Sequence, residues 1–352
     1  MGLAPLSTIL VVNAGSTSLK LSLVAEDGTA ESLDSLAGAP QDVAAVAHRV
    51  VHGGTEFREP VIVEDAVVER LEKIADLTPL HSAPALKAIA EARRLLPRQP
   101  HVAAFDTAFH ATISDVASTY ALPQRFREDW GIRRFGFHGL SVEWAAECVR
   151  VKRLVVCHLG GGCSVTAVLD GRSVDTSMGF TPLEGVPMGT RAGSVDPGAL
   201  LYLLRHGLAL DELDHALEHE SGLLGLAGSE RVEELERRDD DAARLALDVF
   251  AYRVASAVAA MTVALGGLDA LVFTAGIGEN SDRLRRLICA RLVGLGEFEV
   301  LVLRAREDLV AARAARVLLG LPAQKMSPPS LSPGPGVGRN ETSAGSSGRD
   351  HE

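Results

Sequence analysis

Apolar residues along this chain fall into short runs broken by small-residue turns, alternating with longer stretches of three-and-four spacing. Residues 8–13 (TILVVN) and 19–24 (LKLSLV) read as two strands joined by the turn AGSTS. Residues 43–51 form another apolar run, interrupted by His48 and Arg49 before the pair Gly53 and Gly54. Helical spacing follows over 64–75 and 83–95, then a strand over 101–105. A second strand, turn, strand unit begins at Arg153: LVVCHL, the triplet Gly160, Gly161 and Gly162, CSVTAVL, the turn Asp170-Gly171 and RSVDTSMG. The two units lie about 150 residues apart and share one design, which predicts a duplicated α/β domain with a ligand between the halves. Leu247, Phe250, Val254, Val258, Met261 and Leu265 make the stripe of a long core helix, with Asp241 expected as its N-cap and Gly266 as its stop. A strand over 270–273, a glycine loop over 274–280, a helix from Ser281, a strand over 298–303 and a helix over 307–318 complete the pattern.

Composition narrows the function classes. The chain has 352 residues, enough for two domains with separate cores, and a net charge of −11. No basic cluster is interleaved with aromatics, and only three Tyr and two Trp are present, so a nucleic-acid platform is excluded. The first residues lack the basic region of a signal peptide. Cys148, Cys157, Cys163 and Cys289 show neither disulfide-framework nor CxxC spacing, which fits a reducing cytoplasm. The most apolar stretch, 254–268, is shorter than a membrane span needs, so no membrane is expected. From residue 322 the chain is Pro-, Ser- and Gly-rich, and that composition predicts a disordered tail over 322–352.

Residues 179–198 hold five glycines and three prolines around the isolated Arg191. Such a backbone can pass close to a ligand while the guanidinium points at it. The turn Asn13 to Lys20 carries an amide, three hydroxyls and a lysine, a suitable cradle for phosphate or a hydrated metal. Arg49 sits on an apolar strand pattern, where a charge needs a cleft or a partner; a buried ion pair is the alternative. Asp106 ends the strand HVAAF, the usual place of a functional carboxylate, although a helix cap would look the same. His138 stands in GFHG as a loop histidine or a packed core one. Two arginines, a carboxylate and histidines suit phosphoryl transfer, which needs cationic clamps and little covalent chemistry. Walker, GxSxG, HExxH and GxGxxG motifs are missing from the sequence.

NAGSTSLK, HRVVHGG, PLH, FDTAFH, GFHG, HLGxG, SMGFTPLEGVPMGTRAGSVDP and TAGIGEN stand in the order and spacing of the acetate kinases, and the chain resembles that family from Ile9 to about Arg313. The resemblance implies two duplicated ribonuclease-H-like α/β domains flanking a cleft, of the sugar kinase, chaperone and actin superfamily. It implies an N-terminal domain over 1–143 with the helix 307–320 packing back on it, and a nucleotide-binding domain over 144–306. Asp106, Arg49, Arg191, His138 and His81 would be catalytic, and Val51, Leu80, Phe137 and Pro182 would receive the acetate methyl group. Asn13, Ser16, Ser18, Lys20, His158, Gly160, Gly162, Arg231, Gly276, Ile277, Gly278 and Asn280 would hold the nucleotide. Asn13 and Glu307 would serve Mg²⁺ or Mn²⁺. The implied reaction is ATP plus acetate giving ADP and acetyl phosphate in a cytoplasmic homodimer, with propionate or butyrate as alternative substrates. Departures from the family pattern are Gly161 for the usual Asn, Ser229-Glu230 before Arg231, Arg304-Ala305-Arg306 before Glu307, and a short connection over 295–298. They support a second reading, a nucleotide-binding protein with weak or no turnover.

Overall fold

A computed structural model describes residues 8–15, 19–75, 79–325 and 330–336, with the backbone alone for 79–82. The first six strands are β1 (Ile9–Ala14), β2 (Leu19–Val24), β3 (Ala30–Leu33), β4 (Ala45–Val50), β5 (Val61–Ile62) and β6 (His101–Phe105), in the order β3-β2-β1-β4-β6-β5. The next six are β7 (Arg153–Leu159), β8 (Cys163–Leu169), β9 (Arg172–Thr176), β10 (Ala270–Thr274), β11 (Glu299–Leu303) and β12 (Leu331–Pro333), in the order β12-β11-β10-β7-β8-β9. The wiring repeats. In each sheet a three-stranded antiparallel meander (β1 to β3, β7 to β9) is extended on its first strand by two parallel strands, with a short antiparallel strand at the far edge. The duplication read from two faint hairpins is therefore present in full topology.

The sheets share a core. Helices Gly139–Cys148 and Glu307–Leu318 lie between them, where Val142, Trp144, Leu309 and Ala312 join Val11 and Ala47 of one sheet to Val156 and Val272 of the other. Helix Glu307–Leu318 packs on β1, β4 and β6. Its alanines 311, 312 and 315, all buried, let it come close, and Arg313 ties it to Glu143 at 2.9 Å.

Four expectations change. The long helix runs Asp241–Leu265, 25 residues, which by length and composition could cross a membrane; its predicted stripe is buried against β7 and β8, as in the core helix of a folded domain. Its N-cap is Asp240, whose Oδ1 accepts from the Ala243 amide at 3.0 Å, because Asp240 is the last extended residue. Gly266 closes the helix at φ 66°, as its sequence position indicated. The expected loop at 274–280 is the helix Ala275–Asn280: Thr274 is extended and the turn begins at once, with Ala275 at φ 66°. Part of the tail is ordered. Leu331–Pro333 pairs with β11, Gly334 N–H donates to the Val300 carbonyl at 2.7 Å, and Lys325 N–H donates to the Glu26 carbonyl at 2.7 Å. Sheet edges recruit strands through backbone bonds, which composition does not register. Residues 326–329 and 337–352 lie outside the described residues.

Candidate active site

Three parallel strands of the first sheet end together and deliver three polar side chains. Asn13 of β1 is opposite Arg49 of β4, and Asp106 follows β6 directly. The Asp106 carboxylate accepts from Arg49 at two points, Nε to Oδ1 at 3.0 Å and Nη2 to Oδ2 at 2.6 Å. Arg49 Nη1 donates to Asn13 Oδ1 at 3.0 Å, and Asn13 Nδ2 donates to Glu307 Oε2 at 3.0 Å, with Arg49 3.4 Å from Glu307. The Asp106 side chain is 1% exposed. Burial, its largest influence, raises the carboxyl pKa against the pull of Arg49. Burial alone would lower the Arg49 pKa, yet the Asp106 and Glu307 carboxylates outweigh it and the guanidinium stays charged. Burial likewise raises Glu307, and Arg49, His158, Asn13 and Lys20 together bring it below the usual glutamate range.

The facing wall comes from His138, at the end of the first half, and from the second half. His138 precedes helix Gly139–Cys148 at φ 61°, a strained conformation for a histidine, which turns its ring into the cleft. Gly139 must follow, since a Cβ there would meet the Asp106 carbonyl at 2.0 Å. His138 Nδ1 shares a hydrogen with Ser164 Oγ at 2.9 Å, and its ring stacks on His158 at 4.1 Å. His158 Nδ1 is bonded to Ser141 Oγ at 2.8 Å. Burial, then the neighbouring His158, Arg49 and Arg191, holds His138 well below the ordinary histidine pKa, and burial takes His158 to about 4. Both rings are neutral at pH 7.

Arg191 is carried by the loop that follows β9. Met188 N–H donates to the Arg191 carbonyl at 3.0 Å, and Ser194 N–H to the Gly185 carbonyl at 2.9 Å, folding the loop back on itself. Its guanidinium Nε lies 2.9 Å from Glu218 Oε2. A Cβ on Gly162 would fall 2.9 Å from His138 Nε2 and 3.8 Å from Arg191 Nη1. The missing side chain thus leaves an oxygen-sized hollow between His138 Nε2 and Arg191 Nη1.

A cleft of about 980 Å³ runs between these walls. It brings together Asn13, Lys20, Arg49, Val51, Asp106, Phe137, His138, His158, Gly160, Gly162, Pro182, Arg191, Arg231, Gly276, Ile277, Asn280 and Glu307, all expected there. Gly278 is absent from its lining. A Cβ at Gly278 would meet the Phe273 carbonyl carbon at 3.4 Å and the Cys157 carbonyl oxygen at 3.6 Å, so this glycine packs its helix on β7 and β10. Ser16 and Ser18, and the side chains of Leu80 and His81, lie outside the described residues. Sequence reading missed Ser164 and Ser141, which orient the two histidines, and Glu218, Glu233, Glu236 and Glu279. The spacing HLGxGxS offered Ser164; nothing local distinguished Glu218 from its acidic neighbours. Arg231 is turned toward Glu234 at 3.4 Å and is mostly exposed.

The Acetokinase family model matches residues 29–317, most of the chain. The chain belongs to the acetokinase family. It is 45% identical over 260 residues to an acetate kinase of Protochlamydia amoebophila, an alignment covering 71% of this chain and 66% of that one. Among solved structures, the chain resembles a propionate kinase from Francisella tularensis (TM-score 0.79, 33% identity, 88% of this chain and 98% of that one). It also resembles an acetate kinase from Entamoeba histolytica (TM-score 0.80, 28% identity, 90% of this chain and all of that one). The match over 29–317 includes strands of both sheets and most of the residues that line the cleft.

Proposed function

We propose that this protein transfers the γ-phosphoryl group of ATP to the carboxylate of acetate, reversibly, giving ADP and acetyl phosphate. The observation that carries this reading is the hollow at Gly162, faced by Arg191 and His138 and lying in one cleft with the Arg49, Asp106, Asn13 and Glu307 network. A phosphoryl group in flight spreads negative charge over its equatorial oxygens and is stabilised by preplaced donors. Arg191 Nη1 supplies charge and direction. Neutral His138 donates from Nε2 when the Ser164 hydroxyl donates to Nδ1. Buried Val51, Phe137 and Pro182 form an apolar wall for the methyl group, and Lys20 and helix Ala275–Asn280 line the donor side.

Mg²⁺ takes one or two carboxylates, waters and substrate phosphates. Glu307 fits, being ionised and open to the cleft, with Asn13 beside it. Asp106 fits less directly, since both its oxygens are taken by Arg49. Bound there, the ion would neutralise charge shared by the β- and γ-phosphates. We place the protein in a reducing cytoplasm, consistent with four free cysteines, and as a homodimer.

The test is trapping of acyl phosphate as the hydroxamate, with folded protein, Mg²⁺, ATP and acetate. Acetate-dependent hydroxamate is expected; ATP binding without it would establish the non-turnover reading instead. The Francisella neighbour is a propionate kinase, so kcat/KM should be compared for acetate, propionate and butyrate.

A further inference from the structure

Residues Ala216–Glu220 form a single π-turn after helix Leu210–His215. A π-turn carries one more residue per turn than an α-helix and so rotates the side chains that follow. Here it turns Glu218 inward. The Glu218 side chain is 15% exposed, against 61% and 65% for His215 and Glu220 around it. Its carboxylate Oε2 reaches Arg191 Nε at 2.9 Å. The same turn is stitched to the Arg191 loop through Thr190, whose Oγ1 donates to the Glu218 carbonyl at 2.8 Å and whose carbonyl accepts from Ser221 N–H at 2.9 Å. Gly222, at φ 62°, is pressed so close that a Cβ would meet the Met188 carbonyl at 2.2 Å. Turn and loop are therefore tied to each other.

We propose that Glu218 is a positioning residue that sets the direction of Arg191. A guanidinium is a planar fork, so fixing its Nε edge leaves the Nη1 end aimed along one line. Nη1 donates to Met188 Sδ at 3.7 Å and lies beside the hollow, 3.8 Å from where a Cβ on Gly162 would stand. The inference rests on the phosphoryl-transfer reading, because the hollow is where the transferred oxygen sits. The carboxylate also spares Arg191 from collapsing on other groups of the cleft before substrate arrives, an entropic gain realised in the rate.

The experiment measures kcat and KM for Glu218→Ala and Glu218→Gln, alone and combined with Arg191→Ala, with a crystal structure of Glu218→Ala. Glu218→Ala should lower kcat about 10-fold while leaving KM for ATP within about 2-fold. Glu218→Gln should recover part of the rate, since it keeps the side chain's length and an oxygen beside Nε while losing the charge of the ion pair. In the Arg191→Ala background Glu218→Ala should change nothing further. A wild-type kcat in Glu218→Ala, equal losses for Gln and Ala, or a full additional loss in the double variant would overturn the proposal. If the parent protein makes no acyl phosphate, the reaction reading fails, yet the crystal structure still decides this one: Arg191 displaced supports it, and Arg191 unmoved overturns it.

Discussion

Arg49 and Arg191 face the same cleft but are held in different ways. Arg49 stands at the end of a central strand and gives its guanidinium to Asp106 twice, to Asn13 and to Glu307, which ties three strands of one sheet to the helix that crosses to the other. Arg191 rides on a glycine-rich loop, pairs with Glu218 through Nε, donates from Nη1 to Met188 Sδ at 3.7 Å, and lies close to Gly162. A cation whose donors are spent on buried partners shapes the field and holds the walls together. A cation carried on a loop at the mouth of the cleft can close on a ligand. The pair divides into an anchor and a clamp, although in sequence both are single arginines near glycines.

Removing the anchor should have the largest effect. Arg49→Ala leaves Asp106 buried without its cation, which costs about 3–5 kcal/mol of stability and most of the activity. Urea melts beside turnover assays check this; an unchanged midpoint would show that Asp106 does not depend on Arg49. Next comes the hollow between the walls. Gly162→Ala should cut kcat by about 10²-fold with little change in stability, since the added methyl enters solvent-facing space but collides with His138 Nε2. A retained rate would place the reacting oxygen elsewhere.

Acid should act through burial, and chiefly on the anchor side. Burial lowers the pKa of His48 to about 3, and those of His52, His110 and His158 to about 4. These rings are neutral in the folded protein, and the unfolded chain protonates below about pH 6.5, so unfolding takes up protons. Stability is complete above pH 6.5 and falls as pH drops toward 4, by up to about 1.4 kcal/mol per pH unit for each ring. His48 shares a hydrogen with His101 at 2.9 Å one residue before Arg49, so acid reaches the anchor's strand directly. Denaturant midpoints at pH 7, 6 and 5 should decline in step; a constant midpoint would contradict the burial of these rings. A smaller effect is expected at the apolar wall, where one methylene of substrate is worth about 1–3 kcal/mol of transition-state binding, read as the ratio of kcat/KM for acetate and propionate.

Much of this was legible before any coordinates. Strands with clear alternation or β-branched runs, the stripe of the long helix and its Gly266 stop, and Asp106 at a strand end all follow from local chemistry. The faint repeat of two hairpins proved to be one topology used twice. What local chemistry does not encode is pairing across distance. That Arg49 is shared by Asp106, Asn13 and Glu307 depends on three strands and a helix meeting, and Glu218 became a partner of Arg191 through a π-turn with no composition signature. The pairing of the tail is hidden for the same reason, since a sheet edge accepts a strand through backbone groups that every residue carries. Gly276 and Gly278 look alike in one dimension, yet only Gly276 faces the cleft.

The division between anchor and clamp, and the reaction it serves, meet most directly in the turnover of Arg191→Ala with acetate, ATP and Mg²⁺. Removal of a preplaced transition-state donor predicts a kcat lower by about 10²–10³-fold, with the urea midpoint close to that of the parent protein. A folded Arg191→Ala protein that forms acetyl phosphate at the parent rate would contradict the account.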